Sequence, residues 1–155
     1  MMGIRTLLHL ACRSKSYDIV MYVAHHQIDV DTRNNSSQTP LHIACAIGHP
    51  MVLSALRPYN PDVTIQDNSG RNALIIALSA NNPYKAMLLL EWQSLNLSLL
   101  LQQQDAEGIT IYNYCERFSV IRVKNRIKEL TNDYFPTRVI VFTHNHRDRP
   151  PYDKQ

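Results

Sequence analysis

Glycine is scarce in this chain, and so are the residue patterns that usually mark an enzyme. Its 155 residues include four glycines, each isolated from the others. A phosphate-binding loop needs clustered glycines, whose backbone amides surround the anion. The sequence also contains no His-Glu-x-x-His, no Gly-x-Ser-x-Gly and no paired-cysteine motif. We therefore predict a protein that is not an enzyme and that binds no cofactor, metal or small molecule.

Long apolar segments are missing as well. No stretch approaches the roughly 18 consecutive apolar residues that span a bilayer, and the N-terminus lacks the apolar core of a secretory signal. Three cysteines, an odd number, do not suggest a disulfide framework. Together these absences predict a protein of the cytoplasm, with the nucleus as a second compartment, that does not engage a membrane.

A strong net charge is also absent. The formal net charge is +3, and residues 122–155 hold eight Lys or Arg against four Asp or Glu, so the basic character lies in the last fifth of the chain. This excess does not predict binding to nucleic acid, which depends on neutralising many phosphates. For the basic segment, a solvated face and a contact with an acidic partner protein both remain open.

What the chain does contain is a repeated segment. Residues 39–45 read Thr-Pro-Leu-His-Ile-Ala-Cys, and residues 6–12, which lie 33 positions earlier, read Thr-Leu-Leu-His-Leu-Ala-Cys. A further 33 positions lead to Asn-Ala-Leu-Ile-Ile-Ala-Leu at residues 72–78. A weaker copy, residues 110–115, follows after a five-residue insertion. A period of this length indicates a stack of similar structural units.

Each unit is predicted to be a pair of helices. Thr or Asn opens every copy and suits the N-cap of a first helix. The core residue of that helix is expected to be Leu8, Leu41, Leu74 or Tyr112. Apolar residues four positions apart then mark the buried stripe of a second helix, namely Ile19/Val23, Val52/Leu56 and Val123/Ile127. In the third unit Lys85 takes the first position of that stripe, so we place Lys85 on the convex side and assign the stripe to Ala86, Leu89 and Leu90.

The 33-residue period and the Thr-Pro-Leu-His motif resemble the ankyrin repeat over about residues 4–130. This resemblance implies two antiparallel helices per repeat and a short β-hairpin finger, in a curved array whose fingers and first helices line the concave face. We therefore expect an all-α solenoid of about four ankyrin repeats in residues 1–131. Residues 132–155 are expected to form a C-terminal cap segment and a polar, disordered tail.

Two segments fall outside the repeat. The span between Leu89 and Asp105 is Leu- and Gln-rich and longer than the matching spans. It predicts either an extended second helix or a bulkier loop near Trp92, packed on neighbouring repeats, with a partner site as the alternative. Residues 138–142 are apolar and β-branched. They are expected to cover the last repeat, with strand docking onto a partner as the alternative.

The cysteines and two of the histidines are interpreted as structural. Cys12 and Cys45 share one small position of the first helix, and Cys115 lies one position away, so all three are expected in the core. The ankyrin resemblance assigns His9 and His42 to hydrogen bonds within and between fingers. The chain offers no convergence of three or four ligands that would predict a metal site.

The expected function is to bind another protein. Packing fixes the buried positions of a repeat array, so partner choice must come from the finger tips and the exposed side of the first helices. Arg33, Arg71 and Phe118 are the preferred anchors of a monomeric binder, because Arg and aromatic residues dominate interface energies. The predicted contact residues are Arg13, Ser14, Arg33, Asn35, Gln38, Ala46, Ile47, Gln66, Asn68, Arg71, Ser79, Ala80, Glu107, Ile109, Arg117 and Phe118.

A looser similarity connects the chain to the IκB group of ankyrin proteins, which hold Rel/NF-κB transcription factors. Residues 70–74 with 81–83 and 88–90 look like an internal repeat of that group, and residues 108–112 with 122–131 look like its final repeat. The similarity implies an inhibitor of a Rel/NF-κB factor, in the truncated form known from viruses. The chain departs from the group in its basic tail and in having about four repeats rather than six.

Overall fold

The computed structural model describes residues 6–26, 29–92 and 96–132. Within these ranges the chain is helical, and one isolated antiparallel β-bridge joins Gln104 to Thr110. The α-helices are α1 (Leu7–Ser14), α2 (Tyr17–His26), α3 (Pro40–Ile47), α4 (Pro50–Leu56), α5 (Ala73–Ser79), α6 (Pro83–Leu90), α7 (Leu97–Gln102), α8 (Ile111–Arg117) and α9 (Ile121–Asn132), with a 3-10 turn at Arg57–Tyr59. None of these described helices is long and apolar enough to cross a membrane.

The helices form four pairs that stack in chain order. First helices pack on first helices, α1 on α3, α3 on α5 and α5 on α8. Second helices do the same, α2 on α4, α4 on α6 and α6 on α9. This arrangement confirms the all-α solenoid. Each pair buries apolar side chains against its neighbours, so the core runs as one continuous cluster through the stack.

The predicted caps begin all four first helices. The side chains of Thr6, Thr39, Asn72 and Thr110 each accept a hydrogen bond from the backbone N–H three residues further on. In α1, α3 and α8 the side chain of that third residue also reaches back to the cap, which completes a capping box. Two predicted core positions differ. Tyr112 is half-buried, with Ile111 fully buried beside it, and Ile19 is exposed.

Three tight turns between repeats form the fingers, which comprise residues 34–38, 67–71 and 105–109. Each is closed by a backbone hydrogen bond between its first and last residues, 2.9 to 3.1 Å long. Backbone bonds also join successive fingers, from Asn68 N–H to the Ser36 carbonyl (3.0 Å) and from Ala106 N–H to the Ser69 carbonyl (2.8 Å). Gly70 has a positive φ of 72°, and a Cβ there would lie 2.8 Å from the Ala106 nitrogen. The fingers of successive repeats therefore pack directly against one another.

His42 joins the second repeat to the finger that follows it. The backbone N–H of Thr39 donates to His42 Nδ1 (3.1 Å), so Nε2 carries the proton and donates to the Arg71 carbonyl (3.0 Å). His9 has the same geometry, with Nε2 placed 2.8 Å from the Gln38 carbonyl. Burial lowers the pKa of His42 from its ordinary value of 6.5. The neutral imidazole is thus the form that the fold requires.

Lys85 is buried, and its placement on the convex surface was wrong. From the first turn of α6 its Nζ donates to the carbonyls of Ala44 (3.2 Å) and Cys45 (2.9 Å). Both carbonyls lie near the C-terminus of α3, where a cation is favourable. The Ala44 carbonyl also accepts the N–H of Gly48 (3.0 Å). Burial lowers the pKa of Lys85 from its ordinary value of 10.5. Lys85 therefore holds the third repeat to the second.

The segment between the third and fourth repeats contains a helix of its own. The second helix is not extended, because α6 ends at Leu90 and α7 is capped separately by Asn96. Leu100 of α7 is fully buried. The Gln103 side chain donates to the Thr64 carbonyl (2.7 Å) and accepts from the Asn72 amide (2.8 Å). The insertion packs on neighbouring repeats, as expected, whereas residues 138–142 lie outside the described part of the chain.

Replacing His42 with glutamine is expected to change how stability depends on pH. Below about pH 6.5 the unfolded state binds a proton that folded His42 does not, so the free energy of unfolding should fall as the pH drops through this range. At pH 7.5 the free energy of unfolding of the His42→Gln protein should be about 1–3 kcal/mol below that of the parent. As the pH is lowered, this free energy should fall by less than that of the parent does. Urea unfolding between pH 5 and 8 measures both quantities. His25→Gln, at an exposed position of α2, is the control, and an unchanged pH profile in His42→Gln would contradict the assignment.

Removing the Lys85 side chain is expected to destabilise the fold. The free energy of unfolding of Lys85→Ala, measured in urea, should be about 2–4 kcal/mol below that of the parent. The substitution leaves a cavity and removes two buried hydrogen bonds to carbonyls at the end of α3. Lys85→Met fills the space but makes no hydrogen bonds, so its free energy of unfolding should fall by less than that of Lys85→Ala. Lys15→Ala, at an exposed turn, should stay within about 0.5 kcal/mol of the parent. Equal stability of Lys85→Ala and the parent would show that the buried bonds contribute nothing.

Candidate protein-binding surface

The ends of the four first helices place eight of the predicted contact residues in register. Equivalent positions of successive repeats form two adjacent rows that run along the stack. The pairs are Arg13/Ser14, Ala46/Ile47, Ser79/Ala80 and Arg117/Phe118. All are exposed except Ser79 and Phe118, which are half-buried. The two middle repeats therefore contribute only small or apolar side chains, and the outer two contribute arginine.

The two outer arginines are not neutralised by the residues around them. Among the described residues, Arg13 and Arg117 form no ion pair, whereas Lys124 pairs with Glu116 at 2.8 Å. First helices pack about 8–10 Å apart. Because three such steps separate α1 from α8, roughly 24–30 Å separate the two cations along the stack. The resulting strip of residues 13–14, 46–47, 79–80 and 117–118 is apolar in the middle and positive at both ends, and we call it the helix-end strip.

Several predicted finger residues hold the fingers together. The Gln66 amide donates to the carbonyls of Gly70 (2.6 Å) and Gln104 (2.9 Å), which lie in successive repeats. The Asn68 amide donates to the Asn35 carbonyl (3.3 Å), although Asn35 and Asn68 are exposed. Gln38 is half-buried, and its side-chain oxygen accepts from the Asn34 amide (3.4 Å). These residues shape the finger surface, and Arg33 remains as its exposed cation.

Arg71 has a structural partner that its sequence position does not reveal. Its guanidinium donates twice to Asp67 Oδ2, at 2.9 and 3.2 Å, and the Asp67 side chain is almost completely buried. The other oxygen of that carboxylate accepts backbone N–H groups of the same finger. Removing Arg71 would leave a buried carboxylate without its charged partner, which is costly. Arg71 is therefore a poor choice for a substitution that should change binding alone.

The third finger is braced by a tyrosine of the helix that follows it. The Tyr114 hydroxyl donates to Asp105 Oδ2 (2.7 Å). Burial acts to raise the pKa of Asp105, but the hydrogen bonds from Tyr114, Ile109 and Glu107 outweigh it and lower that pKa. Burial and the same carboxylate raise the pKa of Tyr114 to about 12. Its ring also stacks on Phe118, with 6.3 Å between ring centroids. Glu107 lies exposed at the turn of this finger, and Ile109 is half-buried.

The cysteines lie in the core, as predicted from their repeat positions. Burial raises the pKa of Cys12 and Cys45 to about 12 and that of Cys115 to about 11. These side chains are thus thiols at neutral pH, whereas a nucleophile or a metal ligand must be a thiolate. Within residues 6–26, 29–92 and 96–132, no three His, Cys, Asp or Glu side chains converge as a metal site would require.

Comparison with known proteins supports the repeat architecture. A family model described as ankyrin repeats, in three copies, matches residues 8–99. No curated protein matches the chain significantly. The matched residues include the first three helix pairs and the first two fingers.

Proposed function

The chain belongs to the ankyrin-repeat family, and on that premise we propose that it binds a partner protein through the surface of its fingers and helix-end strip. Ankyrin repeats are generally protein–protein interaction modules and typically not enzymes. The observation that carries the proposal is the composition of the helix-end strip. Six of its eight positions are exposed, its side chains are small or apolar in the middle, and an exposed arginine lies at each end.

The strip defines the chemistry of the segment that would occupy it. Ala46, Ser79 and Ala80 have short side chains, so a partner backbone can approach them closely, and Ile47 offers an exposed apolar contact. Carboxylates of the partner would pair with Arg13 and Arg117. An extended chain advances about 3.3 Å per residue, so roughly eight residues separate such carboxylates. We therefore propose an extended segment with apolar residues between two acidic ends.

Reversing the charge at both ends of the strip should weaken binding. Once a pull-down with mass spectrometry has identified a partner, its dissociation constant can be measured for each variant by titration calorimetry. The double variant Arg13→Glu, Arg117→Glu should bind at least 30-fold more weakly, about 2 kcal/mol, if these are anchor residues. Its melting temperature should hardly change, because both side chains are exposed.

A matched control separates this effect from a general loss of positive charge. Arg57 is an exposed arginine on the 3-10 turn after α4, away from the strip. Arg57→Glu should bind like the parent, and Arg33→Ala, directly before the first finger, should bind more weakly. If Arg57→Glu weakened binding while the strip variant bound normally, the partner would occupy a different face.

A Rel-type transcription factor is the partner class that we propose to test first. The support is the sequence similarity of residues 70–74 and 108–112 to repeats of the IκB group. In this role the chain would hold the factor and inhibit it, as a short member of that group. Co-purification with a Rel-homology domain, repeated with the Arg13→Glu, Arg117→Glu variant, tests the idea. No co-purification of the parent chain would exclude this partner class and leave the proposed surface to be tested with others.

A further inference from the structure

The first repeat presents an apolar face to solvent. Four large side chains on α1 and α2 share it, namely Leu7, Leu10, Ile19 and Tyr22, and they are 65%, 49%, 48% and 68% exposed. Their combined exposure amounts to roughly 450 Å² if a fully exposed large side chain presents about 200 Å². That is the size of the largest apolar patch on a typical monomer, which is often functional. We call these four residues the open face.

The same positions are buried in the other repeats. The second-repeat equivalents, 33 residues further on, are Pro40, Ile43, Val52 and Ala55, and all four are buried. In the third and fourth repeats most equivalents are buried too, including Ala73, Ile76, Ile111, Tyr114 and Val123. In each case the preceding helix pair covers them. The open face is thus a stacking surface on which no helix pair of the described chain is stacked.

The opposite end of the stack has a different character. The exposed side chains of α9 are polar or charged apart from Ile121, and they include Arg122, Asn125, Lys128 and Glu129. A head-to-tail contact between two copies would press the apolar open face against this charged helix. A head-to-head contact pairs open face with open face, and a two-fold axis makes it self-complementary and closed.

We propose that two copies of the chain associate head to head through their open faces. In either two-fold arrangement of the two helix pairs, each helix faces an antiparallel helix of the other copy, which favours the helix dipoles. Two open faces bring together roughly 900 Å² of apolar surface, and the polar rim around them extends the buried area toward the 1,200–2,000 Å² of stable interfaces. The open face shares no residue with the fingers or the helix-end strip, so the proposed dimer does not depend on the proposed binding function. It differs from the monomer expected from the sequence.

Sedimentation equilibrium of the full chain over a concentration series tests the dimer. The mass of one chain is 17.9 kDa, and the parent is expected to approach twice that value as concentration rises. Tyr22→Glu and Leu7→Glu place carboxylates on the open face and should raise the dissociation constant of the dimer at least tenfold. Both positions are exposed, so the variants should keep the circular dichroism spectrum of the parent.

Tyr84 provides a matched control, because it is a tyrosine with similar exposure, 61%, on the second helix of another repeat. Tyr84→Glu should dimerise like the parent. The proposal is overturned if the parent sediments as a single chain at every concentration. It is also overturned if Tyr22→Glu dimerises as tightly as the parent, or if Tyr84→Glu alone disrupts the dimer.

Discussion

The structure depends on one constraint: a single helix pair of this length cannot bury its own apolar surface. Each pair has apolar surface on the side where the next pair stacks, and the neighbouring pair must cover it. The buried side chains therefore recur at the same positions, as Leu8, Leu41 and Leu74 do. The constraint also explains why one set of positions is core in three repeats and solvent-exposed in the first. Whether a side chain is buried therefore depends on the place of its repeat in the stack as well as on the type of residue.

The polar contacts between repeats follow from the same stacking. The backbone N–H and carbonyl groups of each finger need hydrogen-bond partners, and side chains of the adjacent repeat supply some of them. His42 of the second repeat bonds to the Arg71 carbonyl, and the Arg71 side chain holds the buried Asp67 of that finger. Tyr114 of the fourth repeat does the same for Asp105 of the third finger. The surface proposed to bind a partner is consequently held in shape by hydrogen bonds between successive repeats.

Sequence alone was sufficient for features that are decided locally. The four caps could be predicted because Thr or Asn at an N-cap needs only the next turn of its own helix. Contacts between one repeat and the next could not be predicted in this way, because the partner residues are far apart in sequence. Lys85 looked like a break in an apolar stripe, because its acceptors at Ala44 and Cys45 lie some 40 residues away in sequence. Arg71 also looked like a free anchor, although its partner Asp67 lies only four residues earlier, because the sequence does not show that the Asp67 side chain is buried. The roles of Arg13, Arg33 and Arg117 in binding remain predictions, since partner contacts leave no local signature.

Lys85 also bears on how such an array can evolve. Repeat proteins commonly grow and shrink when whole units are duplicated, deleted or exchanged, which requires units that fit any neighbour. The third repeat carries a lysine whose amino group fits only beneath a preceding helix with accessible carbonyls at its end. Moved to the start of the array, it would have no such helix before it. The third repeat of this protein therefore depends on a first helix stacked before it, and the order of the second and third repeats is built into the buried amino group of Lys85.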